Sequence, residues 1–101
     1  MNKKVLEFVN EYNEATRSDV LEGVKQLEGK LNDTKYDDSI GDIVWSYYDY
    51  TDKSLTDVAK ELNDHSLLKK FFFEVWFLNE TGEIYEGKMR NQSNNDLLFI
   101  D

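Results

Sequence analysis

The side chains able to do chemistry are few in kind. The chain has one histidine, His65, beside Ser66. A Ser-His-Asp set written from these neighbours lacks the required geometry, because residues adjacent in sequence rarely present nucleophile and base to one another. His65 stands at a predicted helix-to-strand junction, where a helix C-terminal residue is the simpler role. No cysteine is present, which excludes disulfides, thiolate metal sites and cysteine nucleophiles. Asp33, Asp37, Asp38 and Asp42 do not make an EF-hand loop: Lys35 takes the third position and the sixth is not glycine. There is no glycine-rich phosphate loop. Carboxylate pairs are so numerous that none singles out acid–base chemistry. The expectation is a protein that is not an enzyme and needs neither metal nor cofactor.

What remains is charge and aromatic surface. The 101 residues carry 21 acidic and 12 basic side chains, a formal net charge of -9. Such a polyanion repels nucleic acid and anionic lipid rather than binding them. The charge is concentrated: residues 33–65 hold nine acids and three bases, whereas residues 66–90 hold four of each. If residues 38–52 are helical, Asp38, Asp42, Trp45, Asp49 and Asp52 fall at i, i+4, i+7, i+11 and i+14, which is one stripe. Tyr48 and Tyr50 lie beside it in sequence, and Ile40, Ile43, Val44 and Tyr47 point elsewhere. A solvent-facing tryptophan among carboxylates suits a strongly basic protein partner, with the indole as anchor and the acids steering association. The plainer alternative is a solvated helix face with Trp45 in the core. A strand over residues 40–50 would redistribute every side chain.

The elements that must position these residues follow from periodicity. Hydrophobic residues at 40% and aromatics at 14% suffice for one domain over residues 1–101, despite a mean hydropathy of -0.69. Val5, Phe8, Val9 and Tyr12 form one helical stripe. Thr16 and Ser18 offer caps for a second helix, with Asp19 at its positive end and Val20, Leu21, Val24, Leu27 and Leu31 as its apolar face. These two are expected to pair antiparallel. Ser39 is a candidate cap for a third helix, against a strand as rival. Ser54 and Asp57 open a fourth over Leu55, Val58, Ala59 and Leu62, closed by Asn63 and Asp64. Phe71, Phe73, Val75 and Phe77 then alternate with Phe72, Glu74, Trp76 and Leu78, and Asn79 to Gly82 reads as a turn. This predicts a β-hairpin over residues 69–90, with a possible third strand over 97–100. The expected fold class is α+β: about four N-terminal helices on a small C-terminal antiparallel sheet. No apolar run approaches the roughly 20 residues of a membrane span, and no targeting segment is evident, so a cytoplasmic location is expected.

Asp42-Ile43-Val44, followed by Tyr47-Tyr48-Asp49, resembles the tyrosine pair on the third helix of colicin DNase immunity proteins. More broadly, a small acidic domain of this kind resembles the immunity proteins of bacterial nuclease toxins, including those of contact-dependent growth inhibition. Two features depart from the colicin pattern: no proline follows the tyrosine pair, and that family is all-helical whereas residues 71–90 read as a hairpin. The resemblance implies a protein that binds a cognate basic nuclease toxin domain and blocks its active site or an adjacent exosite. On that reading Trp45, Tyr48 and Tyr50 are anchors, and Asp38, Asp42, Asp49 and Asp52 steer and form salt bridges. The alternative is a phage-type acidic DNA mimic that occupies a host nucleic-acid-binding enzyme. Such a decoy needs carboxylates over its whole surface, and the neutral segment 66–90 speaks against it.

Overall fold

The computed structural model describes residues 3–33, 36–49 and 52–85. These form α1 (Lys3–Tyr12), α2 (Arg17–Asn32), α3 (Asp37–Tyr47), α4 (Leu55–Glu61) and α5 (His65–Thr81), and no strand is present among them. The α+β expectation is therefore corrected to an all-helical fold.

The correction falls on α5, which runs through the apolar segment assigned to the hairpin. Two end signals define it. The Asp64 carboxylate accepts from the amides of Ser66 (2.8 Å) and Leu67 (3.1 Å) at the start. At the end Gly82 adopts φ 74°, and its amide donates to the Leu78 carbonyl at 2.8 Å. Asn79 to Gly82 is thus a helix terminus and not a hairpin turn. Leu68, Phe71, Phe72, Phe73, Val75 and Leu78 are all buried. A helix buried on almost every side has no polar face, so its sequence imitates a doubly buried strand. The returning strand beyond Tyr85 and the third strand at 97–100 lie outside the described residues.

Around this central helix the other elements bury the faces their spacing dictates. Thr16 caps α2 in a reciprocal box: its hydroxyl accepts from the Asp19 amide (3.2 Å), and the Asp19 carboxylate accepts from the Thr16 amide (3.0 Å). Val20, Val24, Leu27 and Leu31 then form the buried stripe of α2. The main partners of α2 are α5 and α4, not the α1 expected to pair with it. Instead α1 docks on α5 through rings. Phe8 lies 5.2 Å from Phe72 and 4.8 Å from Trp76, and Tyr12 meets Phe72 edge-on at 4.7 Å. Side chains of the first α5 turns bind the carbonyls between α1 and α2, with Lys69 Nζ 3.1 Å from Asn13 O and His65 Nε2 3.1 Å from Ala15 O. His65 accordingly opens a helix and does not close one.

Candidate functional site

The acidic-aromatic segment lies on α3 and the chain that follows it. Residues 37–47 are helical, which settles the rivalry between helix and strand there. The helix begins after Tyr36, so Ser39 is its third residue and not its cap. Ile43 and Val44 are buried, and Tyr47 packs edge-on against Phe71 with ring centroids 5.1 Å apart and planes at 88°. With that face inward, Asp38, Asp42 and Trp45 point away from the core at i, i+4 and i+7. Both aspartates are exposed, and Trp45 retains 53% of its accessible surface.

Beyond Trp45 the single helical stripe stops. Tyr48 ends α3 with an extended backbone (φ -140°, ψ 122°). Asp49 and Asp52 are exposed but on the following non-helical segment, so spacings of i+11 and i+14 no longer place them. Tyr48 is half-buried against the core, with the Lys53 ammonium 5.7 Å from its ring centroid. Lys53 also bridges to Glu61 at 2.8 Å. That hydrogen bond, reinforced by the charges of Glu61, Tyr48 and Asp57, holds the ammonium pKa above its ordinary value. Tyr50 lies outside the described residues. The structure thus brings Asp38, Asp42 and Trp45 onto one helix face, with Asp49 and Asp52 exposed on the segment that leads away.

One pair contributing to this arrangement carries no sequence signal. Glu74 is fully buried in α5, and the Tyr47 hydroxyl donates to its Oε2 at 2.5 Å. In the sequence Glu74 occupies an alternating position that a half-exposed strand would tolerate, so nothing marks it as an interior carboxylate.

An open groove of about 590 Å³ runs between α2 and α4. Arg17, Leu21, Glu22 and Lys25 line one side, and Thr56 and Lys60 the other. Arg17 also has a structural role there: its guanidinium donates to the carbonyls of Leu62 (2.5 Å) and Lys60 (3.0 Å). Among the described residues no group of three or more His, Asp or Glu side chains is placed to hold a metal ion, and no helix is long and apolar enough to cross a membrane. Against protein-family models, curated proteins and solved structures the chain has no significant match.

Proposed function

We propose that this chain is an immunity protein that binds and neutralises a cognate basic nuclease toxin domain through the outward face of α3. The observation that carries the proposal is Trp45. A half-exposed indole, on a helix whose opposite face is firmly buried, sits in line with two exposed aspartates. Tryptophan is among the residues most often dominant in protein interfaces, because it buries a large rigid surface at little entropic cost. Carboxylates around it raise the encounter rate with a cationic surface and discriminate against acidic ones.

Support also comes from the corrected fold. The hairpin that set this chain apart from the all-helical colicin immunity proteins is replaced by α5 among the described residues; the missing proline after Tyr48 still differs. The resemblance therefore rests on the short segment from Asp42 to Asp49. Against the DNA-mimic alternative, Arg17, Lys25 and Lys60 line one groove of the molecule. That cationic lining is foreign to a surface that imitates a phosphate backbone.

The test is a pull-down from the source organism, followed by co-expression with the nuclease domain that it captures. Protection of growth by the wild-type chain, lost on combining Trp45→Ala with Asp42→Asn, is the expected result. A chain that protects equally well with both substitutions, or that binds no basic protein domain, overturns the proposal.

A further inference from the structure

We propose that this chain associates with itself head to tail, the acidic-aromatic ridge of α3 in one copy seating in the α2–α4 groove of the next. The groove stands against the charge of the molecule as a whole. In a chain of net charge -9, Arg17, Lys25 and Lys60 converge on one recess, with Leu21 in its wall. Among the described residues neither the Lys25 nor the Lys60 ammonium has an ion pair or hydrogen bond, whereas Lys53 is bridged to Glu61 and Lys69 reaches the Asn13 carbonyl. The acids of the same region are engaged within the chain. Glu22, the one carboxylate among the lining residues, accepts from Gln26 at 3.4 Å; Asp19 belongs to the cap of α2, and Glu28 holds the start of α4. The groove therefore keeps an excess of positive charge beside an apolar wall that the aliphatic stems of the lysines extend.

Two adjacent helices offer a furrow into which a third helix packs by ordinary ridge-into-groove contact. The helix that suits this furrow carries an apolar ridge flanked by carboxylates, and α3 is such a helix. Its half-exposed Trp45 stands in line with Asp38 and Asp42, and neither aspartate has an ion pair among the described residues. One copy thus supplies an indole and two unpaired anions, and the other a leucine and two unpaired cations. No residue of α3 lines the groove, so the two surfaces are separate and every copy carries both. Symmetric contacts do not satisfy them: ridge against ridge opposes aspartates, and groove against groove opposes lysines. Only the head-to-tail arrangement brings unlike charges together. Such a heterologous contact leaves one ridge and one groove open, and it builds short chains or a ring. The net charge of each copy opposes the approach, so the association is weak and governed by concentration. It covers the ridge assigned above to the toxin, which makes self-association and toxin capture mutually exclusive. The inference goes beyond that assignment without resting on it, because it needs only the shape and charge of the two surfaces.

Sedimentation equilibrium of the chain by itself tests the proposal. The weight-average mass is expected to reach at least about 1.5 times that of the 11.9 kDa monomer at roughly 1 mM protein, and to return to the monomer value near 10 µM. Trp45→Ala/Asp42→Asn removes the ridge and Lys25→Glu/Lys60→Glu removes the groove, and each variant alone stays monomeric at the higher concentration. Mixed in equal amounts, the two recover a species of twice the monomer mass and nothing larger, since one still offers a ridge and the other a groove. Circular dichroism checks that both are folded, and Lys25→Gln/Lys60→Gln replaces the charge reversal if that pair unfolds the chain. A wild-type chain that is monomeric throughout overturns the proposal. So does a mixture that stays monomeric, or an association that either variant alone leaves intact. Because no toxin enters these measurements, a monomeric result leaves the toxin contact standing, and a failure of toxin binding leaves the self-association standing.

Discussion

Gly23 of α2 lies against the ring of Phe72 of α5 so closely that a β-carbon built on it would stand 2.5 Å from Cζ and 2.9 Å from Cε1. The Phe72 ring has no room to swing aside, because Phe8 and Tyr12 pack against it and it is buried. Gly23→Ala is therefore expected to destabilise the protein by about 1–3 kcal/mol despite the better helix propensity of alanine. Gly29 and Gly41, also helical, have open space where a β-carbon would go. Alanine at either should stabilise by about 0.5–1 kcal/mol. Urea denaturation of the three variants gives the comparison, and a loss at Gly29 comparable to that at Gly23 would contradict it.

Gly82 poses a different problem. Its φ of 74° places it in the left-handed region, and an added β-carbon would approach the Tyr36 hydroxyl to 2.6 Å. Gly82→Ala should cost about 1–2 kcal/mol from backbone strain alone, with the displaced Tyr36 adding to it. The change is expected to loosen the start of α3 as well as the end of α5. Amide exchange in residues 36–40 should accelerate together with that of residues 79–82.

How far the fold was legible in the sequence depended on whether a helix shows water one side. Thr16 with Asp19 and the spaced Val20, Val24, Leu27 and Leu31 announce α2, and Ser54 with Asp57 announces α4; the structure has both caps. The helix α5 showed no such face. Its residues 71–78 include one polar side chain, Glu74, and a helix segment buried on almost every side has no polar period to detect. Its true start signal, Asp64, stood where a terminus of the preceding helix was expected, so one residue was assigned to the wrong element. On α3 the spacing of Asp38, Asp42 and Trp45 was readable once the segment is helical. The stop at Tyr48 was not, since no glycine or proline marks it. Tertiary contacts with Phe71 and Glu74 are what hold Tyr47, and single-sequence patterns do not encode them.

The seven-residue helix α4 is too short to persist alone, and α2 supplies polar partners at both of its ends. Glu28 accepts from the Leu55 amide (2.7 Å), the Thr56 amide (3.4 Å) and the Thr56 hydroxyl (2.5 Å), at the positive end of the helix dipole. Arg17 binds the carbonyls at the negative end. Glu28→Ala should cost about 1–2 kcal/mol and fray α4 from its N-terminus. Hydrogen exchange localises the effect: Leu55 and Thr56 should lose protection first, with the α5 amides unaffected until global unfolding. Uniform loss across the chain would show that α4 does not open separately.

Stability should fall at the two pH extremes through different groups. The Thr16 backbone amide, followed by its hydroxyl, lowers the Asp19 pKa below the ordinary 3.8. A depressed carboxyl pKa contributes stability that is complete above the unfolded value and is lost as pH falls through the folded one. The loss therefore lies on the acid side of pH 3.8. Lys53 has the opposite sign: with its pKa raised above 10.5, its contribution is complete below that value and disappears as pH rises through the folded one. Asp19→Asn should flatten the acid limb of a melting-temperature profile and leave the alkaline limb alone, and Lys53→Met the reverse. Asp19 is exposed and Lys53 partly so, so added salt should reduce each effect.

The proposed binding face separates energy from rate. Trp45→Ala removes an anchor but little packing, so folding stability should change by no more than about 1 kcal/mol. Affinity for the toxin domain should fall by at least about 2 kcal/mol, roughly thirtyfold in Kd, mainly through faster dissociation. Asp38→Asn and Asp42→Asn act on long-range attraction instead. They should slow association and flatten its dependence on ionic strength, with dissociation nearly unchanged. Stopped-flow association measured from low to physiological salt, with dissociation followed by displacement, distinguishes the two classes. If Trp45→Ala slows association while the aspartate variants speed dissociation, the indole is not the anchor and the carboxylates make the buried contacts. The acidic stripe would then be the core of the interface and Trp45 its rim.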